Sequence, residues 1–454
     1  MCRPFILFSF FFMAIRISGF ATIRDHAGDT ILLPNGWRLS PAGQQLPLGD
    51  LPLNMAFSPN GRLAAISNNG QSDQSIQLLD TKTRKITDSF SVGASWYGLK
   101  FSKDGRLLYA SGGNNNEVYR FRVITDNAVF KLKIQDTLSL GAKWPNPVSP
   151  AGLELDDSKN RLYVVTKEDN SLYLVDTKTK KIIMKRGLGE PAYTCLLSPL
   201  KNELYISLWG GKKVLIFDTQ KNMVEDSVTI GENPNEMVLS STGAYLFVAN
   251  AGDNSVSVID TRKRKQIEVL DAALFPNAPT GSATNSLALD KKNARLYVAN
   301  ADNNCLAVFD IHRPGQSHSI GFIPTGWYPT SVRVNGSDIY VCNGKGGGSM
   351  ANPYGPNPYG REEEVVYQKG DNKRKIPVQY IGALLRATLS VIKSPSLQKL
   401  AAYSSVVYKN TPYNKEKEKL ANGVIGNPIP MRVGDSSPIK YVFYIIKENR
   451  TYDQ

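Results

Sequence analysis

Residue types suited to recognition chemistry recur in this sequence at short glycine–proline connections. Gly49-Asp-Leu-Pro52, Gly231-Glu-Asn-Pro234 and Gly326-Trp-Tyr-Pro329 share a Gly-x-x-Pro form. Gly93-Ala-Ser-Trp96-Tyr97, Ala142-Lys-Trp144-Pro145 and Gly189-Glu190-Pro191 are variants of it. Glycine and proline fix the shape of such a turn, leaving the residues around them to face whatever the turns surround. The set gathered in this way is Trp96, Tyr97, Trp144, Glu190, Asn233, Asn235, Trp327 and Tyr328. Large rings beside a few polar groups suit a concave site for a ligand or partner. The same rings also suit packing between neighbouring units, and the sequence leaves both uses open.

Other chemistries are disfavoured by what is missing. There are three histidines, His26, His312 and His318, too few for a self-contained imidazole metal site. None of the four cysteines forms a C-x-x-C pair, which removes zinc ribbons and thioredoxin-like centres. The glycine run Gly346 to Gly348 has Lys345 before it, whereas a phosphate-cradling loop needs Lys-Ser/Thr after it. Lys345 therefore joins the candidate binding residues rather than a nucleotide site. The formal net charge is +14, but no aromatic stacking platform accompanies the basic turns, which argues against nucleic acid.

The N-terminus reads as a targeting segment. Arg3 precedes an apolar run from Pro4 to Ile15, and Ser18-Gly19-Phe20-Ala21 supplies small residues at cleavage spacing. Arg16 breaks the run, so it is too short for a permanent membrane anchor. The expectation is a signal peptide over 1–21 and an exported protein, periplasmic or extracellular, that is not an integral membrane protein. Cleavage removes Cys2, and Cys195, Cys305 and Cys342 fall in apolar runs as buried free thiols.

The elements that must position the candidate residues come from a repeat. Arg161-Leu-Tyr-Val-Val, Glu203-Leu-Tyr-Ile-Ser, Tyr245-Leu-Phe-Val-Ala-Asn250 and Arg295-Leu-Tyr-Val-Ala-Asn300 are each followed by a second apolar strand. Those second strands end in Asp176, Asp218, Asp260 and Asp310, the first three 42 residues apart. Earlier copies begin at Arg62 and, in degenerate form, at Arg106; a last copy is split between Asp338–Cys342 and Ala387–Ile392. Seven copies of short strands at this period read as an all-β, seven-bladed β-propeller over 22–395, each sheet burying its faces against its neighbours. The seventh copy lacks a fourth strand, and Gln44-Gln-Leu-Pro-Leu-Gly49 has the form to supply it, closing the ring with an N-terminal strand.

The Leu-Tyr-Val-Ala-Asn segments and their relatives resemble the YVTN-repeat, YncE-like family of β-propellers. That resemblance implies the fold and little chemistry, because propellers host many functions. In a propeller the first-to-second and third-to-fourth strand turns share one face. Thr81–Lys85, Thr177–Lys181, Thr261–Lys265, Lys291 and Lys292 go there, a basic rim suited either to an anionic surface or polysaccharide or simply to solvent. The opposite, mouth face takes the inter-blade connections with Asn68, Asn69, Asn114 to Asn116, Asp253, Asn254 and Asp302 to Asn304, Lys212 and Lys213 being exceptions. An insertion at 343–379 leaves from that face and reads as a lid or domain-docking loop.

After the propeller, residues 396–433 read as a helix capped by Ser396, with Leu397, Leu400, Tyr403 and Val407 at helical spacing, and a polar linker. Residues 434–454 then hold Ile439-Lys-Tyr-Val-Phe-Tyr-Ile-Ile446, the pattern of a strand buried on both faces. It leads into Glu448-Asn449-Arg450-Thr451-Tyr452-Asp453. This ending resembles the opening strand of the phosphoesterase family within the alkaline phosphatase superfamily, whose Glu-Asn-Arg-(Ser/Thr)-(Phe/Tyr)-Asp motif it matches. The resemblance implies a divalent metal ion held in part by Glu448 and Asn449 once such a domain is complete. It departs in offering no nucleophilic Ser/Thr in context and no later Asp or His ligands. The expectation is an incomplete α/β domain represented by its first strand, no cofactor on this chain itself, and a missing catalytic domain as the propeller's partner. The alternative is a stand-alone exported propeller that binds carbohydrate, a surface polymer or a protein.

Overall fold

The structure, a computed structural model, describes residues 30–71, 73–142, 147–276, 278–290, 292, 294–349, 384–413, 426–430 and 434–445, and the backbone of 363–369 and 372–378. Seven four-stranded antiparallel sheets follow one another as blades of a propeller. Their innermost strands are Pro52–Phe57, Leu99–Phe101, Pro150–Asp156, Ala192–Leu197, Pro234–Leu239, Thr284–Asp290 and Trp327–Asn335.

Period-two alternation lets the two middle strands of a blade feed both of its interfaces. In Glu203–Leu208 of blade four, Leu204, Ile206 and Leu208 enter a core shared with blade three. Tyr205 points the other way, into a core shared with blade five. Among the described residues there is one such cluster at each of the seven blade junctions, including Met55, Ile66 and Leu79 of blade one against Tyr340, Leu389 and Val391 of blade seven. Full burial of one such side chain stabilises by roughly 1.5–3 kcal/mol, and here every blade depends on both neighbours for it.

The repeat's polar residues are latches. Asp176 Oδ1 accepts from the backbone N–H of Lys178 (2.9 Å) and Thr179 (2.7 Å). Asp218 and Asp260 repeat the turn with Gln220 and Lys221, and with Arg262 and Lys263. These N–H donors hold all three carboxyls below the usual range. Asn250 is fully buried and donates to Ser255 Oγ (2.8 Å) and Ser257 Oγ (2.9 Å). A Cβ on Gly231 would lie 2.5 Å from Asn250 Nδ2, so the connection glycine is fixed by close approach.

The ring closes as the sequence predicts. Gln44–Pro47 is the outer strand of blade seven, with Gln44 opposite Val391 and Pro47 opposite Thr388. Cys195, Cys305 and Cys342 are buried and free. The helix α1 (Leu397–Asn410) is capped by Ser396 Oγ, which accepts from Lys399 N–H, and buries Leu400 and Val407. It lies on the outer strand of blade six, His318–Pro324, where Ser404 Oγ accepts from Phe322 N–H at 2.8 Å. An edge that would invite pairing is thereby covered.

Two regions add to the sequence reading. The insertion, read as a loop, contains a hairpin of its own, Glu363–Lys369 paired with Asn372–Val378. The apolar run expected as a strand lies after the propeller; Tyr441 and Phe443 are 84% and 92% exposed, and 434–445 join none of the sheets. A strand buried on both faces needs sheet neighbours on both sides, and the propeller blades are already complete.

Candidate functional site at the two ends of the channel

The mouth is built from the inter-blade connections. The residue just before or at the start of the innermost strand is left-handed in five blades: Leu51 (φ 47°), Ser149 (51°), Asn233 (49°), Ala283 (51°) and Tyr328 (63°). A conformation this costly for a side-chain-bearing residue persists only when its surroundings over-determine it, and here they do. The carbonyls of Leu51, Ser149, Asn233 and Ala283 each accept an N–H from the adjoining turn at 3.0–3.1 Å. The turn asparagines clamp the next connection in return. Asn116 Oδ1 accepts from Val148 and Ser149 N–H, Asn254 Oδ1 from Gly281 and Ser282 N–H, and Asn304 Oδ1 from Tyr328 N–H at 2.9 Å. Most mouth-face asparagines are therefore spent on architecture.

Beneath the mouth a polar layer crosses the channel. Arg333 and Glu236 form a bidentate pair, at 2.5 Å from Nη2 to Oε1 and 3.0 Å from Nη1 to Oε2. Arg333 also donates to Met55 O (2.8 Å), Val332 O (2.7 Å) and Asn54 Oδ1, which uses all five of its N–H groups. Tyr97 donates to Glu236 Oε1 at 2.6 Å, and Ser286 Oγ and Leu287 N–H complete the carboxylate's shell. Burial and then Glu236 push the Tyr97 and Tyr193 phenols up. Burial acts to lower Arg333, but the Glu236 carboxylate outweighs it and the guanidinium stays charged. A buried pair keeps its place only when such hydrogen bonds offset desolvation. With no donor free on Arg333, the layer is a structural plug rather than an anion site.

On the basic side of the plug, a cavity of about 960 Å³ reaches from Tyr97, Glu236 and Arg333 past Lys100, Glu154 and Cys195 to the first-to-second strand turns at Ser158 and Pro199. Its polar walls are largely paired: Lys100 Nζ is 2.6 Å from Glu154 Oε1, and Lys159 is 3.5 Å from Asp156. The Cys195 thiol is pushed well up by burial and then by Glu154, so it is no nucleophile. The basic rim is answered by carboxylates too, with Lys180 at 2.8 Å from Asp136, Arg84 at 3.1 Å from Asp338 and Arg264 at 2.9 Å from Glu203.

The mouth side of the plug is aromatic. Tyr97 and Tyr193 pack with centroids 4.6 Å apart and ring planes tilted by 53°. Lys345 Nζ stands 5.2 Å from the Trp327 ring centroid and 4.7 Å from that of Tyr328, and Lys167 Nζ is 4.5 Å from Trp96. Asn235 is 3% exposed and donates to Asn285 Oδ1 at 3.2 Å. Its own Oδ1 has no hydrogen-bond partner.

Of the residues chosen from sequence, Tyr97, Asn235, Trp327, Tyr328 and Lys345 surround this throat, and Trp96 stands in a neighbouring connection. Trp96 and Trp327 also pack against inter-blade cores, which is the packing use of these rings. Glu190 is exposed, and Asn233 donates to Trp209 O at 3.1 Å. Trp144, Glu448 and Asn449 lie outside the described residues. Sequence reasoning missed Tyr193, Glu236, Asn285 and Arg333; the available signal was polar residues at alternate positions of otherwise apolar innermost strands. It also missed Trp209, 46% exposed on a mouth-face turn.

Among the described residues no group of three His, Cys, Asp or Glu stands ready for a metal ion. No described helix is long and apolar enough to cross a membrane. No family model and no curated protein matches this sequence. Among solved structures the chain is similar to Kuenenia stuttgartiensis hydrazine synthase, at 17% identity over 66% of this chain and 94% of that one, with a TM-score of 0.53. At that identity the likeness shows a shared fold alone.

Proposed function

We propose that this chain is an exported propeller whose mouth face recognises a ligand or partner beside a metal-dependent phosphoesterase domain. The observation that carries the recognition part is the convergence of Tyr97, Tyr193, Trp327 and Tyr328 above a plug that closes the channel. Charged groups at the plug are mutually satisfied, whereas the half-buried rings of Trp327 and Tyr328 above it are met by the flexible Lys345 side chain. The phosphoesterase part rests on the match of Glu448 to Asp453 and on the exposed apolar run before it, which a parallel sheet would cover. Export rests on the charged, apolar and small-residue order of residues 1–21.

The mouth reading is tested with the full chain and the Trp96→Ala/Trp327→Ala double variant. Intrinsic fluorescence is followed during titration with three probes: cellohexaose, a hyaluronate hexamer and tetramethylammonium. The expected result is a response to at least one probe that the double variant loses while its thermal midpoint falls by only a few degrees. A collapse of the midpoint would show that these rings serve blade packing and would overturn the reading.

A second reading has its own observation. The cavity of about 960 Å³ on the other side of the plug could hold a small ligand of a stand-alone propeller. It ranks second because its Lys100–Glu154 and Arg333–Glu236 groups are already engaged with each other.

A further inference from the structure

Resting on the mouth reading, we propose that Trp327, Tyr328 and Asp302 form a cage for an organic ammonium group, and that Lys345 is its resident occupant in the free chain. The groups in the throat favour one sign of charge. Trp327 and Tyr328 present ring faces, and those faces already hold an ammonium, with Lys345 Nζ 5.2 Å and 4.7 Å from their centroids. Asp302 lies on the adjoining turn of blade six; burial raises its carboxyl while the Lys345 charge opposes the rise, and burial and then Asp302 raise the Tyr328 phenol. Ring faces beside a carboxylate are what a cation seeks, and Lys345 is the cation the chain itself supplies to them.

The backbone supports the assignment. Tyr328 is left-handed at φ 63°, a conformation that would suit glycine or asparagine better than a large ring. Four other connections use Leu, Ser, Asn or Ala at such positions. Here the chain sets an aromatic residue in that conformation beside a second aromatic, with its N–H held by Asn304 Oδ1 at 2.9 Å. The consequence is a cage whose walls are fixed and whose occupant sits on a flexible side chain. Lys345 lies near the end of the strand Asp338–Gly346, whose Gly346 pairs with Trp327, so the backbone that carries the occupant is tied to the cage wall.

The test compares tetramethylammonium and choline with 3,3-dimethylbutan-1-ol, the neutral isostere of choline, by calorimetry and tryptophan fluorescence on the full chain. In the wild type Lys345 competes, and binding should be weak. Lys345→Ala should tighten both cations by about tenfold, the scale of losing an internal cation from two ring faces, and leave the isostere unbound. Lys345→Gln should behave likewise, which separates the loss of charge from a folding effect. Adding Trp327→Ala or Asp302→Asn to Lys345→Ala should reverse the gain. No gain on removing Lys345, or equal binding of choline and its isostere, overturns the cage. If hyaluronate or cellohexaose binds and the cations do not, the mouth reading survives and this inference fails. If no probe binds and the Trp96→Ala/Trp327→Ala variant unfolds, both fail.

Discussion

The two ends of the channel differ in what their groups are free to do. The basic end holds a cavity of about 960 Å³, yet Lys100, Glu154, Glu236 and Arg333 in its walls answer one another. The mouth end offers aromatic rings, an Asn235 oxygen without a hydrogen-bond partner and the Lys345 ammonium set over two of those rings. Buried polar groups are costly unless paired, so a paired set stabilises the wall and leaves little with which to select a ligand. Volume marks where something fits; uncommitted groups mark what can be chosen. The same contrast separates two sets of mouth residues: Asn116, Asn254 and Asn304 clamp the connections, while Trp327 and Tyr328 are displayed by them.

Both ends exist only while the ring is closed, and the largest effect should come from opening it. Deleting residues 22–49 removes the outer strand Gln44–Pro47 and exposes the edge of Thr388–Lys393. It also removes Leu33, Trp37 and Leu39 from the core that Val407 of α1 shares. A narrower deletion of 44–49 isolates the closing strand. Both variants should lose cooperative thermal unfolding and self-associate through the exposed edge. A narrow deletion that stays monomeric and melts in one sharp transition would break the closure argument.

A smaller effect should follow from removing the plug that divides the two ends. Arg333→Met leaves Glu236 buried without its counter-charge and should cost about 3–5 kcal/mol in urea unfolding. The Arg333→Met/Glu236→Leu double variant removes both charges and should recover most of that loss, since well-packed apolar residues often replace a buried pair at little cost. If the single variant unfolds at the wild-type midpoint, the layer is solvated and the channel is continuous, and the contrast between the ends dissolves.

How far these features were legible from sequence follows from how local their causes are. The blades were readable because Leu-Tyr-Val-like runs recur and Asp-Thr turns follow in four of the seven copies, and each copy is its own strand, turn and strand. Even the closing strand could be assigned, since a missing fourth strand and a spare one stood at opposite ends of the repeat. The mouth aromatics were found through the Gly-x-x-Pro turns that set their position. The plug was not, because Glu236 and Arg333 are 97 residues apart and meet only when blades five and seven face each other across the axis. Tyr193 and Asn285 escaped for the same reason. The hairpin within 363–378 was hidden by turn-rich flanks, which read as loop.

The smallest expected effect is none at all: this chain should not hydrolyse phosphoesters. Catalysis in the superfamily that residues 448–453 resemble needs a metal held by several ligands, a hydroxyl nucleophile and groups that stabilise developing charge. The resemblance assigns two oxygen ligands, Glu448 and Asn449, and the described residues add no cluster of three acidic, imidazole or thiol groups. The nearby apolar segment is more than 80% exposed at Tyr441, Phe443 and Tyr444, so it offers no rigid sheet edge from which ligands could be aimed. Two oxygen ligands alone neither hold a divalent ion tightly nor orient a nucleophile within the tolerance that catalysis demands. The assay is release of nitrophenol from a chromogenic phosphomonoester and a diester with Mg, Mn, Ca or Zn, comparing wild type with Glu448→Gln. Equal silence in both is the expected result. Metal-dependent turnover that Glu448→Gln abolishes would show that a working centre assembles on this chain and would move its chemistry away from the channel altogether.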